Sequence, residues 1–332
     1  MNISIKTAAV AAACITAGAL LGAQGPLKIG TIAPENSAYV KALREMGDAW
    51  NKRTGGRVRS SVFAGTAGSE ETMLRSLRGS ARSLHAAQLS AISLGQLDSA
   101  FNVFALPMFF ENYAEADRVL DKLTPLLEQR LEQKGLKALN FAYAGWVHVF
   151  SKQPIRTVAD LKKQTLYTST GDDAMAKWYR DNGFKPKQLD PTQMLESLGT
   201  GGIEAAPAPP VFAQILNWYV SAPNMMDLGF APLLGATVIS NDSWKRISPE
   251  DQKVVAEEAK KAADRLRTNI PRIEKEAIEE MKKKNLKISA ADTAEWRKLA
   301  DQLAQAMLAA KLVPQDIYDL ARRERDAARS GK

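Results

Sequence analysis

Cysteine is almost absent from this chain, and histidine nearly so: Cys14, His85 and His148 are the only three among 332 residues. Cys14 lies within the first 23 residues, so a chain processed there keeps no thiol. Disulfides, zinc–thiolate sites and cysteine nucleophiles are then excluded. The two histidines sit in strand-like runs, where a hydrogen-bonded structural role is favoured over a catalytic base. No G-x-S-x-G elbow, H-E-x-x-H pair or Walker loop occurs. "GTAGSEE" has glycines near a helix start but lacks the lysine of a phosphate loop. Asp172 and Asp173 suit the dipole of a helix start, and no further acidic cluster suggests a metal. No catalytic residue, metal or cofactor is therefore expected. An exported α/β enzyme acting on a small molecule stands as the alternative.

Long, strongly apolar runs are missing too. The nearest is "MNISIKTAAVAAACITAGALLGA", residues 1–23, with Lys6 as its only charge. A short basic start, an apolar stretch and small residues at the end form the layout of a secretory signal peptide. Cleavage after Ala23 is the preferred reading. Retention as an anchor and lipid attachment at Cys14 are the alternatives. The run is rich in Ala, Thr and Gly where a span needs about 20 strongly apolar residues, and "AAA" before Cys14 lacks a large apolar residue. The formal charge is +8, but it is scattered through amphipathic helices and not gathered with aromatics, so no nucleic-acid partner is expected.

What is present is an alternation of strand and helix. "LKIGTIA", "VRSSVF" and "SLHAAQL" read as strands, separated by helices capped by Ser37 and Ser69, which implies βαβ units with a parallel sheet. Helices follow at 113–122 and 124–134, then "KALNFAYAGWVHVFS" as one long strand. A second α/β series starts near Pro154, with Thr157 and Asp190 as caps and a proline-rich turn, "APAPP". Ser248, Pro249, Glu250 and Asp251 open a helix whose apolar spacing persists to Met281. Unbroken, it would be about 50 Å long at 1.5 Å per residue, too long for one small domain. It should bridge two, with Pro271 as a candidate kink. Two last helices span about 292–310 and 314–328. The division expected is a signal peptide at 1–23, a first α/β lobe from 24–149 plus 236–270, and a second from 150–235 plus 271–332 that carries the C-terminal helices. Clefts between such lobes are ordinary ligand sites.

Three separated stretches resemble one family. They are "FALPMFFENYAEADRVLD" (104–121), "PIRTVADLKKQTLYTSTGDDAMAKWYRDNGFKPKQLDPTQMLESLGTGGIEA" (154–205) and "ISNDSWKRISPEDQKVVAEEAKKAADRLR" (239–267). In that order they are similar to the solute-binding proteins of tripartite ATP-independent periplasmic (TRAP) transporters, dicarboxylate-binding type. The resemblance implies a two-lobed periplasmic binding-protein fold with a long helix spanning both lobes. It implies capture of a small organic acid in the cleft and delivery to membrane permease subunits, without chemistry. A periplasmic monomer is expected.

The resemblance also directs attention to "LKKQTLYTST", 161–170. There the family places an arginine that grips the ligand's carboxylate through a bidentate ion pair. This chain has Tyr167 at that position, Val147 where the family often has another arginine, and Pro207–Ala208 where it has a polar pair. Losing one partner of a buried charge pair costs roughly 2–5 kcal/mol, so the expected ligand is less polar than a C4-dicarboxylate. Two readings of Tyr167 remain open: its flat face and hydroxyl meet the ligand, or it merely packs and Arg75, Arg78 or a lysine supplies the charge. The other candidate ligand contacts are Thr168, Thr170, Trp146, Glu70, Trp218, Asn217 and Pro207.

Overall fold

A computed structural model describes residues 25–79, 83–170 and 172–331. The signal peptide, its cleavage site and Cys14 lie outside the described residues. Among the described residues eleven strands follow one another: β1 (Leu27–Thr31), β2 (Ser60–Ala64), β3 (Ala86–Ser90), β4 (Leu136–Trp146), β5 (His148–Ser151), β6 (Thr165–Ser169), β7 (Lys185–Leu189), β8 (Ala205–Ala208), β9 (Asn224–Asp227), β10 (Pro232–Ser240) and β11 (Lys287–Ala290). They form two sheets with orders β2-β1-β3-β10-β4 and β11-β9-β5-β8-β6-β7. Each is mostly parallel with one antiparallel member, β10 in the first and β5 in the second.

Most helices begin where the sequence says they should, because a cap is a local device; Asp190 instead opens the short 3-10 turn Pro191–Gln193, and the α-helix after it starts at Met194 with no side-chain cap. Ser37, Ser69 and Ser248 each accept a hydrogen bond from the amide three residues on. Thr157 and Asp160 form a reciprocal capping box at the helix Val158–Lys163, and these bonds hold the Asp160 carboxyl down at about 2. Thr157→Ala should cost about 1 kcal/mol, measurable as a lowered urea midpoint.

Two long-range features differ from expectation. The segment read as helices 113–122 and 124–134 is one helix, Tyr113–Gln133, that contains Pro125. Proline deletes a single N–H, and the neighbouring Thr124 hydroxyl bonds back to the Leu120 carbonyl at 2.7 Å, so the helix continues. "KALNFAYAGWVHVFS" is two strands in different sheets, broken at Val147. The break follows Gly145, whose φ of 129° is a conformation other residues rarely adopt. Val147 leaves both sheets and pairs across the chain with Phe230 and Ala231.

The long helix runs unbroken from Pro249 to Lys283, through Pro271. Val255 and Ala259 join the apolar cluster under β1, while Met281 joins the one under β5 and β8. The helix therefore spans both halves. The C-terminal helices do not all stay with the second half, as the lobe division assumed. Helix Thr293–Ala309 starts there, with Trp296 donating to the Arg156 carbonyl at 3.0 Å. It ends with Leu303 and Met307 in the first half's main cluster. Helix Gln315–Arg329 then packs along Tyr113–Gln133. Its apolar side, Ile317 and Ala321, finds its complement there, which no local pattern encodes.

Candidate functional site

Strand direction shows where the two halves meet. β10 is antiparallel to both β3 and β4, so β1 to β4 all end at one edge. In the second sheet β6, β7 and β8 are parallel, and β5 opposes β8 with His148 opposite Ala208, the last residue of β8. Only Val147 separates the end of β4 from the start of β5. The C-terminal edges of both sheets therefore face one gap at this crossing. Such edges are where open α/β sheets take ligands, because strand ends and helix starts converge there.

Tyr167 stands two residues before the end of β6 and is 8% exposed. Its ring packs with Phe150, Ala206 and Trp218. Burial pushes its phenol up to about 12, with the charges of Asp190, Glu70 and Asp172 adding to the shift. Glu70 belongs to the first half, at the start of the helix Glu70–Arg78. Asp172 caps the helix Asp173–Asp181 after β6, and Asp190 follows β7 and holds the Thr192 amide. The charges that act most on this phenol are negative. Arg75, one turn into the helix Glu70–Arg78, is exposed and bonds Thr72, and Arg78 is exposed another turn away.

Glu70 itself is buried, and its carboxylate takes the Ser90 amide at 2.8 Å, the Ser90 hydroxyl at 2.5 Å and the Ser93 hydroxyl. It braces the first helix of the gap against the turn after β3, and burial raises its pKa despite these donors.

The remaining candidates scatter. Trp218 shares the Tyr167 cluster, edge-on to Phe150 at 6.3 Å, and its buried indole N–H has no hydrogen-bond partner among the described residues. Thr168 is buried, and strand alternation turns it to the opposite face of β6, with Leu166; its hydroxyl is likewise unpartnered. Pro207 shares that opposite face, since Ala206 and Ala208 on either side of it belong to the Tyr167 cluster. Thr170 is exposed just beyond β6, its amide bonded to the Leu189 carbonyl at 3.1 Å. Asn217 is exposed in a left-handed conformation, φ 55°, and its side-chain oxygen accepts the Tyr219 hydroxyl at 2.8 Å. Trp146 ends β4, its ring edge-on to Tyr113 at 5.2 Å and lying against Gly229. Tyr167 and Trp218 share one cluster in the second half, Glu70 holds Ser90 and Ser93 in the first, and Thr168 and Pro207 lie on the face of the sheet opposite Tyr167.

Asp190 and Glu274 were passed over in the sequence. In the sequence Asp190 reads as a cap, and nothing in the local pattern singles out Glu274. Both histidines bond backbone: His85 accepts the Lys28 amide at 2.9 Å, and His148 lies 3.2 Å from the Met226 carbonyl. Among the described residues no group of His, Cys, Asp and Glu could hold a metal ion, and no helix is long and apolar enough to cross a membrane.

The profile of the family described as bacterial extracellular solute-binding protein, family 7, matches residues 29–311. The chain belongs to that family. Family 7 proteins are the binding components of TRAP transporters, extracytoplasmic and not enzymes. The C4-dicarboxylate-binding protein DctB of Bacillus subtilis is 25% identical over 289 residues, 82% of this chain and 79% of that one. The ectoine-binding periplasmic protein TeaA of Halomonas elongata is 23% identical over 218 residues, 64% and 61%. Among solved structures, a TRAP periplasmic solute-binding protein from Xanthobacter autotrophicus with bound β-D-galacturonate superposes with TM-score 0.83 at 21% identity, covering 90% of this chain and 99% of that one. The sugar acid binding protein DctPAm of Advenella mimigardefordensis, in complex with galactonate, gives 0.84 at 20%, covering 92% and 98%. These likenesses establish the two-lobed fold with its spanning helix in a family 7 chain.

Proposed function

We propose that this family 7 protein captures a scarcely charged organic acid, with at most one carboxylate and an aromatic or aliphatic body, and passes it to the membrane permease subunits of a TRAP transporter. Organic acids are the frame because DctB is named for C4-dicarboxylates and the Xanthobacter protein holds a uronate. The observation that carries the narrower reading is Tyr167. It stands buried at the gap with Asp190, Glu70 and Asp172 acting on it. A second carboxylate there would be repelled. A phenol and the Trp218 indole offer apolar faces and neutral donors instead. The moving bodies are the two sheets with their helices, and the chain acts as a monomer whose apolar clusters close within it.

Thermal-shift screening tests this. At a hundredfold excess over Kd a ligand adds about 2.7 kcal/mol of stability, a rise of several degrees. Aromatic and aliphatic monocarboxylates should raise Tm more than succinate, malate or galacturonate, and Tyr167→Ala should abolish the rise. A larger shift from the dicarboxylates would sink the reading.

A further inference from the structure

The long helix and the crossing strand meet at one carboxylate. Glu274 lies on that helix between Ile270, in a first-half cluster, and Met281, in the second-half cluster. One of its oxygens accepts the Tyr113 hydroxyl at 2.6 Å, and the other accepts the backbone N–H of Trp146, the last residue of β4. Gly145 makes this possible. A Cβ there would stand 2.8 Å from the Glu274 carboxylate and 2.8 Å from Pro209. Next to Trp146, Val147 is bonded to Phe230 and Ala231 in the stretch leading into β10, each at 2.9 Å. Glu274 thus touches the connections between the halves where they converge.

We propose that Glu274 is a positioning residue that sets the hinge, its buried charge favouring hinge arrangements that bring water to it. This rests on closure of the two lobes and is independent of which acid is bound.

The residue is 7% exposed, and among the described residues no cation pairs with its carboxylate. Tyr113 faces it from helix Tyr113–Gln133, and Tyr143 lies behind that contact on β4. Tyr39, from helix Ala38–Arg53, acts on both phenols. Helix Pro210–Ile215 carries no titratable residue, and Pro209 before it lies against Gly145. Arg267, about two turns earlier on its own helix, is engaged by Asp117 and Asp121. Two donors do not replace the hydration of a carboxylate, and burial pushes the group up to about 7. The arrangement that buries Glu274 thus binds a proton more readily than one that exposes it. It is favoured at low pH, and this advantage is lost as pH rises from the ordinary carboxylate range to about 7. Above that, opening relieves the buried charge.

Amide hydrogen exchange of the ligand-free protein tests this at Trp146, Val147 and Phe230, corrected for the intrinsic pH dependence of exchange. In the wild type, protection should fall about tenfold or more between pH 6 and pH 8, the weight of one pKa unit. Glu274→Gln should keep the pH 6 protection at both values, since it retains the shape and an acceptor for Trp146 without the charge. A merely structural Glu274 would lose protection equally at both values in this variant. Either that result or a pH-independent wild type overturns the proposal. If the Gln variant does not fold, Tyr113→Phe decides. Removing one donor should move the midpoint of the wild-type transition to higher pH, and an unmoved midpoint overturns the proposal.

Discussion

Trp50→Ala is expected to lower the unfolding free energy by about 4 kcal/mol, the range for emptying a fully buried aromatic site. Trp50 is 0% exposed on helix Ala38–Arg53, beside Leu43, Met46 and Ile239. Its indole N–H donates to the Val255 carbonyl of the spanning helix at 3.2 Å. The substitution therefore leaves a cavity at the seam between that helix and the first sheet. Trp50→Phe keeps most of the ring and forfeits one hydrogen bond, so about 1–2 kcal/mol should be lost. Urea unfolding followed by circular dichroism measures both. Equal losses from Ala and Phe would mean that the hydrogen bond, and not the packing, holds the seam.

Arg329→Ala should cost about 2–3 kcal/mol. Arg329 grips Glu115 with two parallel bonds, Nε to Oε1 at 2.9 Å and Nη2 to Oε2 at 3.0 Å. Glu115 is 3% exposed, so the substitution strands a carboxylate. Breaking a fully buried pair costs about 3–5 kcal/mol. The lower figure follows because Arg329 is 31% exposed, so solvent already screens the pair, and Glu115 keeps the Glu111 amide at 3.0 Å. Glu115→Gln combined with Arg329→Ala should recover part of the loss. No recovery in the double variant would show that the helix end is held by its other contacts, such as Arg325 over the Phe109 ring at 4.3 Å.

The legible part of the site was its address. Tyr167 drew notice because an arginine was expected in its place, and Glu70 because it opens a helix of the first half. Neither the acidity around the phenol nor the turn of Thr168 to the opposite buried face could be read from spacing. Asp172 and Asp190 are 18 positions apart and both follow the ends of paired strands, because β6 and β7 run in parallel with Ser169 opposite Leu189. Thr168 and Tyr167 are neighbours in sequence and yet face opposite sides of a sheet buried on both. With apolar residues on either face, no alternation marks which one meets the gap.

By itself the sequence determined the alternation of strands and helices, most helix starts, the spanning helix and the family. Caps and amphipathic spacing act over three or four residues, so they are present in any short window of the chain. Only the tertiary structure decided that one apolar run splits between two sheets, that the last helix returns to the first half, and that Glu274 meets the Trp146 amide. Those contacts join residues 128 and 214 positions apart, as in Glu274–Trp146 and Glu115–Arg329. Their energy depends on surfaces that exist only once both partners have folded.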